Sequence, residues 1–209
     1  MMWADLGAAL LRTLGLIVLT FAGALVGGII LAVCRIAPVP PLRAAATAYV
    51  TVLRNVPLLV LLVLFTFGLP AVGLLVPLYY NAAIAMALYW AAFVCEVMRS
   101  GVRTVPREQV EAARALGMTL GACLRLVVLP QALRSMVQPL TNILIGSALG
   151  TALAAAAGVG ELTFWYQQQA NLAGQPLTSF AVVTALYVAI TLTAGFAAAR
   201  VEKKVAMHR

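Results

Sequence analysis

Long uncharged runs alternate with short charged segments along the chain, and this alternation predicts the elements. Thr13 to Cys34 is one such run. Asn55 to Cys95 is about twice as long and is interrupted by Gly68-Leu-Pro70 and by Pro77. Ser135 to Gly160 and Leu177 to Ala199 complete the set, the last reached through the polar stretch Tyr166-Gln-Gln-Gln. A helix needs about 20 apolar residues to cross a bilayer core. Five spans are therefore predicted, at about 10–34, 47–68, 80–98, 131–158 and 177–200, within one domain covering 1–209. Each should be a helix, because an isolated strand leaves its backbone groups unpaired in lipid. A closed barrel would need many short alternating segments, which these unbroken runs exclude. The first run is too long for the 7–15-residue core of a signal peptide, so it is read as a span.

Composition strengthens this picture. Only 10% of the residues are charged and the mean hydropathy is +1.02, against about 25% charged in soluble domains. A water-facing monomer of this kind would expose large apolar patches. The chain is read as an all-α integral membrane protein with five transmembrane helices.

The net charge of +8 has two readings, a nucleic-acid footprint and a topology signal. The positions decide between them. Arg35, Arg43 and Arg54 follow the first span. Arg99, Arg103, Arg107, Arg114, Arg125 and Arg134 lie between the third and fourth, and Arg200, Lys203, Lys204 and Arg209 form the tail. Arg12 alone falls on the other side. The crowded side is the cytoplasmic one by the positive-inside rule. The N-terminus is then expected outside and the C-terminus inside. No aromatic residues interleave with the cations, so nucleic acid is not expected as a partner.

The largest cytoplasmic segment, 99–130, carries a second pattern. Pro106 suits a first helical turn. Glu108 and Glu111 sit near the positive end of the helix dipole, Glu111 and Arg114 are spaced for an i,i+3 pair, and Gly117 can close the helix in a left-handed conformation. A helix from about Arg107 to Leu116 is predicted, and Pro130 is expected to start the next one. Taken alone, this segment reads either as a solvated linker or as a helix that docks in a groove of a cytoplasmic partner.

Glu111-Ala112-Ala113, then Gly117, then Leu129-Pro130 resembles the EAA loop of bacterial ABC importer permeases. Tyr49-Val-Thr-Val-Leu-Arg-Asn-Val-Pro57, Phe67-Gly-Leu-Pro70, Cys95-Glu-Val-Met-Arg-Ser-Gly101, Leu129-Pro-Gln-Ala132, Gly158-Val-Gly-Glu-Leu162 and Val201-Glu-Lys203 resemble the polar amino-acid branch of that family. The resemblance spans about Gly15 to Val205. It implies a type I importer permease fold in the bacterial inner membrane, paired with an identical or paralogous second permease. It also implies two cytoplasmic ATPase subunits, which would bind the ATP and Mg, and an extracytoplasmic solute-binding protein. The ATPase-coupling residues it implies are Arg107, Glu111, Ala112, Ala113, Leu116 and Gly117. Two departures stand out. Glu108 precedes Gln109 where the branch often has Gly, and Leu149-Gly-Thr-Ala-Leu153 replaces the more polar Lys-Asp-Thr-Ser-Leu of many members. Arg54-Asn-Val-Pro57, the apolar stretch from Ser147 to Ala157 and the Val201-Glu-Lys-Lys-Val205 tail look most like glutamate/aspartate permeases.

The chain shows no engine of its own. A P-loop needs a lysine behind a glycine-rich turn, and the only lysines are Lys203 and Lys204. His208, the sole histidine, is expected to be a tail residue without a catalytic role. Cys34, Cys95 and Cys123 lack the spacing of a metal or redox site and read as buried thiols. No catalytic residue, metal or cofactor is expected in this chain. A membrane scaffold or sensor that docks an ATPase without moving solute is the alternative, and a membrane enzyme is a third reading without a nucleophile–base set behind it.

Small and polar residues inside the spans complete the reading. Gly23 and Gly27, and Gly146, Gly150, Ala154 and Gly158, recur at four-residue spacing, which permits close helix packing within the chain, at a dimer seam or at a gate of the pathway. Glu96 and Arg99 are read as a structural ion pair. Glu161 reads as a helix cap or a contact for the solute-binding protein. Asn55, Gln138, Asn142, Ser147 and Thr151 are candidates for a solute pathway, since polar groups in lipid favour cavities. Hydrogen bonding between helices is the competing role.

Overall fold

The computed structural model describes residues 2–172 and 174–206, with side chains at 5–172 and 174–204; His208 lies outside the described residues. All regular structure among them is helical. In chain order the helices are α1 (Met2–Ile36), α2 (Pro40–Asn55), α3 (Leu58–Ala71), α4 (Leu78–Arg103), α5 (Arg107–Ala115), α6 (Leu120–Ala157), α7 (Leu162–Leu172) and α8 (Pro176–Ala206).

Four of these, α1, α4, α6 and α8, are long and apolar enough to cross a membrane. The predicted second span is not one helix. α2 and α3 meet at an angle of 105°. Pro57 is the cause: its ring disfavours the helical conformation in the preceding residue, and Val56 is extended, with φ −93° and ψ 133°. The bent pair still makes a crossing. α1 and α4 run in the same direction, with Gly15 beside Tyr79 and Gly28 beside Val94, so the chain between them must return to the starting side. α6 runs opposite to α4, with Met136 near Gly101 and Gly158 near Leu78.

Leu129-Pro130 does not open a helix as predicted. The helix begins ten residues earlier, where the Thr119 Oγ1 accepts from the Ala122 N–H at 3.2 Å, an N-cap. A π-turn over Leu124–Val128 then precedes the proline, and the Leu129 N–H donates to the Leu124 carbonyl. A proline inside an α-helix clashes with the carbonyl four residues back, and the wider turn relieves this. The same device occurs in α3, where a π-turn over Leu64–Gly68 precedes Pro70. There the buried Asn81 Nδ2 donates to the Phe65 carbonyl at 2.8 Å, so α4 supports the irregular turn of α3. The polar, glutamine-rich stretch before the last span is helical too, as α7.

α4 is the inner helix, with 50% of its apolar window buried, against 28% for α1 and 6% for α8. α1 lies along it so closely that a Cβ at Gly28 would overlap the Val94 side chain. Gly23 and Gly27 face Ala87 and Ala91, and Gly146 faces Trp90. These small-residue stripes therefore pack within the chain. Leu58 and Leu62 of α3 close the core against Ala82, Met86 and Ala154. α8 leaves Val188, Leu192 and Phe196 exposed, an apolar face suited to hydrocarbon or another subunit.

Candidate functional site

α5 stands across the end of the bundle where α4 stops and α6 begins. Pro106 is its N-cap rather than its first residue, with ψ 139°. Its other end closes through Gly117 at φ +83°. The Gly117 N–H donates to the Arg114 carbonyl at 3.0 Å and the Met118 N–H to the Ala113 carbonyl at 3.2 Å, the two bonds of a Schellman cap. A side chain at Gly117 would have to adopt a left-handed conformation that L-residues disfavour.

Ala113 is the one buried residue of α5. It seats in a cluster with Val105, Cys123, Val128, Ala132 and Met136. The Gln131 Nε2 donates to the Gln109 Oε1 at 2.7 Å and ties α5 to α6. Arg107, Glu111 and Ala112 are exposed, and Leu116 is 85% exposed. The Glu111–Arg114 pair does not form; the Arg114 Nη1 donates to the Met118 carbonyl at 2.8 Å. Ala113, with Val110 packed beside it and Gln109 bonded to α6, anchors one face of the helix, and the opposite face points away from the bundle.

Above α5, Glu96 collects more charge than the sequence suggests. The expected bond to Arg99 is present, from Nη2 to Oε2 at 2.8 Å. The Arg35 Nη1 of α1 also donates to Oε1, and the Arg54 Nη1 of α2 stands 3.9 Å away. Arg54 also lies over the Phe93 ring, 5.6 Å from its centroid. One carboxylate therefore joins three helices. Arg35 and Arg54 carry no local signal for this; the α1–α4 register is needed to see it.

The pathway candidates separate into two sets. Asn55, Gln138 and Asn142 are exposed, the last two on one face of α6. The Asn55 Nδ2 donates to the Thr51 carbonyl at 2.7 Å. Ser147 and Thr151 are fully buried. The Ser147 hydroxyl donates to the Leu144 carbonyl at 2.8 Å, and the Thr151 hydroxyl to the Ala148 carbonyl at 2.7 Å.

At the opposite end of the bundle, Glu161 is wholly buried. It caps α7, its Oε1 accepting from the Phe164 N–H at 2.8 Å, while the Tyr187 hydroxyl of α8 donates to Oε2 at 2.7 Å. Thr13 of α1 accepts from the Leu162 N–H at 3.1 Å. The Arg12 Nη1 donates to the Gly160 carbonyl at 3.3 Å. Burial pushes the Glu161 carboxyl above the usual range, against the pull of its hydrogen bonds. Tyr187 was not singled out in the sequence, where it is one aromatic in an apolar run. Cys95 and Cys123 are buried free thiols, and Cys34 is half-buried.

Residues 24–207 match the family of binding-protein-dependent transport system inner membrane components. The glutamate transport system permease protein GluC of Corynebacterium glutamicum is 33% identical over an alignment covering 100% of this chain and 99% of that protein. The arginine transport system permease protein ArtQ of Bacillus subtilis is 30% identical, covering 92% and 88%. Among solved structures, an amino acid ABC transporter crystallised with histidines superposes with a TM-score of 0.90 at 28% identity, covering 96% of this chain and 94% of that one. The MetNI methionine ABC transporter in an inward facing conformation gives 0.80 at 27%, covering 98% and 97%. By sequence along most of its length and by the arrangement of its helices, the chain belongs to this inner membrane component family and is an ABC importer permease for amino acids.

Proposed function

We propose that this chain forms half of the membrane pathway for ATP-driven uptake of a polar amino acid, with glutamate or aspartate as the favoured cargo. The other half is an identical or paralogous permease. Two cytoplasmic ATPases bind and hydrolyse the ATP, and an extracytoplasmic solute-binding protein delivers the solute. The observation that carries this reading is α5: a short helix, closed at its C-terminal end by Gly117 and anchored by Ala113, that presents Arg107, Glu111, Ala112 and the 85% exposed Leu116 outward. Such a face fits a groove on a partner subunit.

This geometry supports a route for coupling. Closure of the ATPase pair displaces α5, and the Ala113 cluster and the Gln109–Gln131 bond pass the displacement to α6. The spans then exchange inward-open and outward-open arrangements, with energy entering as the differential affinity of the ATPases for the two states. Asn55, Gln138 and Asn142 are the exposed candidates for meeting solute, while Ser147 and Thr151 shape the pathway from within the packed helices. The basic residues gathered at the α5 end support a cytoplasmic placement of that end, with the N-terminus outside. The acidic cargo is favoured by the glutamate permease of C. glutamicum, which aligns over the whole chain.

Reconstitution tests this. Proteoliposomes holding the permease, its ATPase and its binding protein should accumulate labelled glutamate only with internal ATP. Gly117→Asp should abolish accumulation while leaving membrane insertion intact, and normal uptake by that variant would refute the coupling role. An ATPase that co-purifies with the permease while no tested amino acid moves would favour a scaffold instead.

A further inference from the structure

The α5 end of the bundle holds a recess that the transport reading does not use. A cavity of about 470 Å3 opens between the ends of α1 and α4, the start of α2 and the first half of α6. Its walls are apolar, from Ile29 and Val33 of α1, Val102 of α4, and Leu133 and Met136 of α6. Four arginines line the same space: Arg35, Arg43, Arg99 and Arg103. Arg35 and Arg99 share the Glu96 carboxylate. Arg43 and Arg103 form no ion pair among the described residues, and both are exposed. The recess therefore combines an oily interior with surplus positive charge.

These two properties select one kind of occupant. Guanidinium groups bind phosphate through paired hydrogen bonds. Basic pockets between membrane helices on the cytoplasmic side suit anionic headgroups. A free anion would satisfy the arginines and leave the apolar walls bare; a neutral lipid would do the reverse. We propose that the recess holds one anionic phospholipid of the cytoplasmic leaflet, its phosphate on Arg43 and Arg103 and an acyl chain along Ile29, Val33 and Leu133. The leaflet assignment rests on the topology proposed above. Binding there bridges four helices beside the Glu96 cluster, so the lipid fastens α2 to the rest of the bundle.

Native mass spectrometry of the delipidated full-length chain in detergent tests the proposal. Phosphatidylglycerol should be retained roughly tenfold better than phosphatidylcholine with matched acyl chains, and should raise the unfolding temperature. The double substitution Arg43→Gln, Arg103→Gln should reduce that preference to near unity, with its lipid-free unfolding temperature unchanged. Val33→Trp, which fills the apolar wall, should weaken retention of both lipids, and Arg12→Gln at the other end should change neither. Equal retention of the two lipids, or a preference that survives the double substitution, overturns the site. Displacement of the lipid by equimolar sn-glycerol 3-phosphate overturns the lipid as occupant and assigns a free anion. None of these readouts requires transport, so a failure of uptake leaves them standing. Labelling of an Arg107→Cys variant from outside intact cells would overturn only the leaflet assignment.

Discussion

Glu96 and Glu161 sit at opposite ends of the same bundle and are held by different chemistry. Glu96 has Arg35 and Arg99 on its two oxygens and Arg54 3.9 Å off. It is about one-fifth exposed. Glu161 has no exposure and no ion pair among the described residues; a backbone N–H and the Tyr187 hydroxyl serve it instead. An ionised carboxylate in a low-dielectric site needs compensating charge, and Glu96 has it in excess. Glu161 is compensated by neutral dipoles, so burial dominates and its carboxyl is held above the usual range. The contrast shows how one chain fastens its two ends: an electrostatic knot where cations abound, and a hydrogen-bonded cap where Arg12 is nearly alone.

The largest expected effect breaks the knot. Glu96→Gln keeps the shape but leaves three guanidiniums facing each other, and should cost about 3 kcal/mol of stability, read as a lower unfolding midpoint in detergent. Adding Arg35→Gln should restore part of it, since the two groups are coupled. Tyr187→Phe tests the other end. It removes one donor from a buried oxygen and should cost about 1 kcal/mol. Arg99→Gln takes away the most exposed of the two close partners of Glu96 and should cost about 0.5 kcal/mol. A loss as large as that of Glu96→Gln would mean that Arg99, rather than Arg35, carries the knot. The smallest effect is one of pH. The folded Glu161 holds its proton more tightly than the unfolded chain does, so this group's contribution is greatest below the ordinary carboxylate range. It declines as pH rises through the raised value. Glu161→Gln should remove that component and leave the remaining pH dependence of the midpoint unchanged.

Much of this architecture is legible in the residues because lipid enforces simple rules. Runs of apolar residues marked α1, α4, α6 and α8 to within a few turns. Gly117 announced its left-handed cap, since few other residues adopt that backbone. What escaped depends on contacts between segments distant in sequence. The bend at Val56–Pro57 lies just after Arg54-Asn55, where the apolar composition is briefly interrupted, and a span drawn over 47–68 runs straight across that break. Pro130 looked like a helix start, and the π-turn that carries it through α6 leaves no compositional mark. The partners of Glu96 require knowing that α1 lies parallel to α4, and those of Glu161 require the placement of α8. For the pathway candidates, spacing gave the shared face of Gln138 and Asn142 but not that Ser147 and Thr151 are sealed from solvent.

The joint after α5 has a mechanical consequence. Only Leu116, Gly117, Met118 and Thr119 separate α5 from α6, a stretch that spans at most about 14 Å. Both sides of it are already tied, by the two cap bonds and by the Thr119 hydroxyl. So tight a hinge has no slack to absorb travel. A push on α5 must arrive at the foot of α6 as tilt or rotation, and lengthening this connection by a few flexible residues would turn a crank into a loose tether.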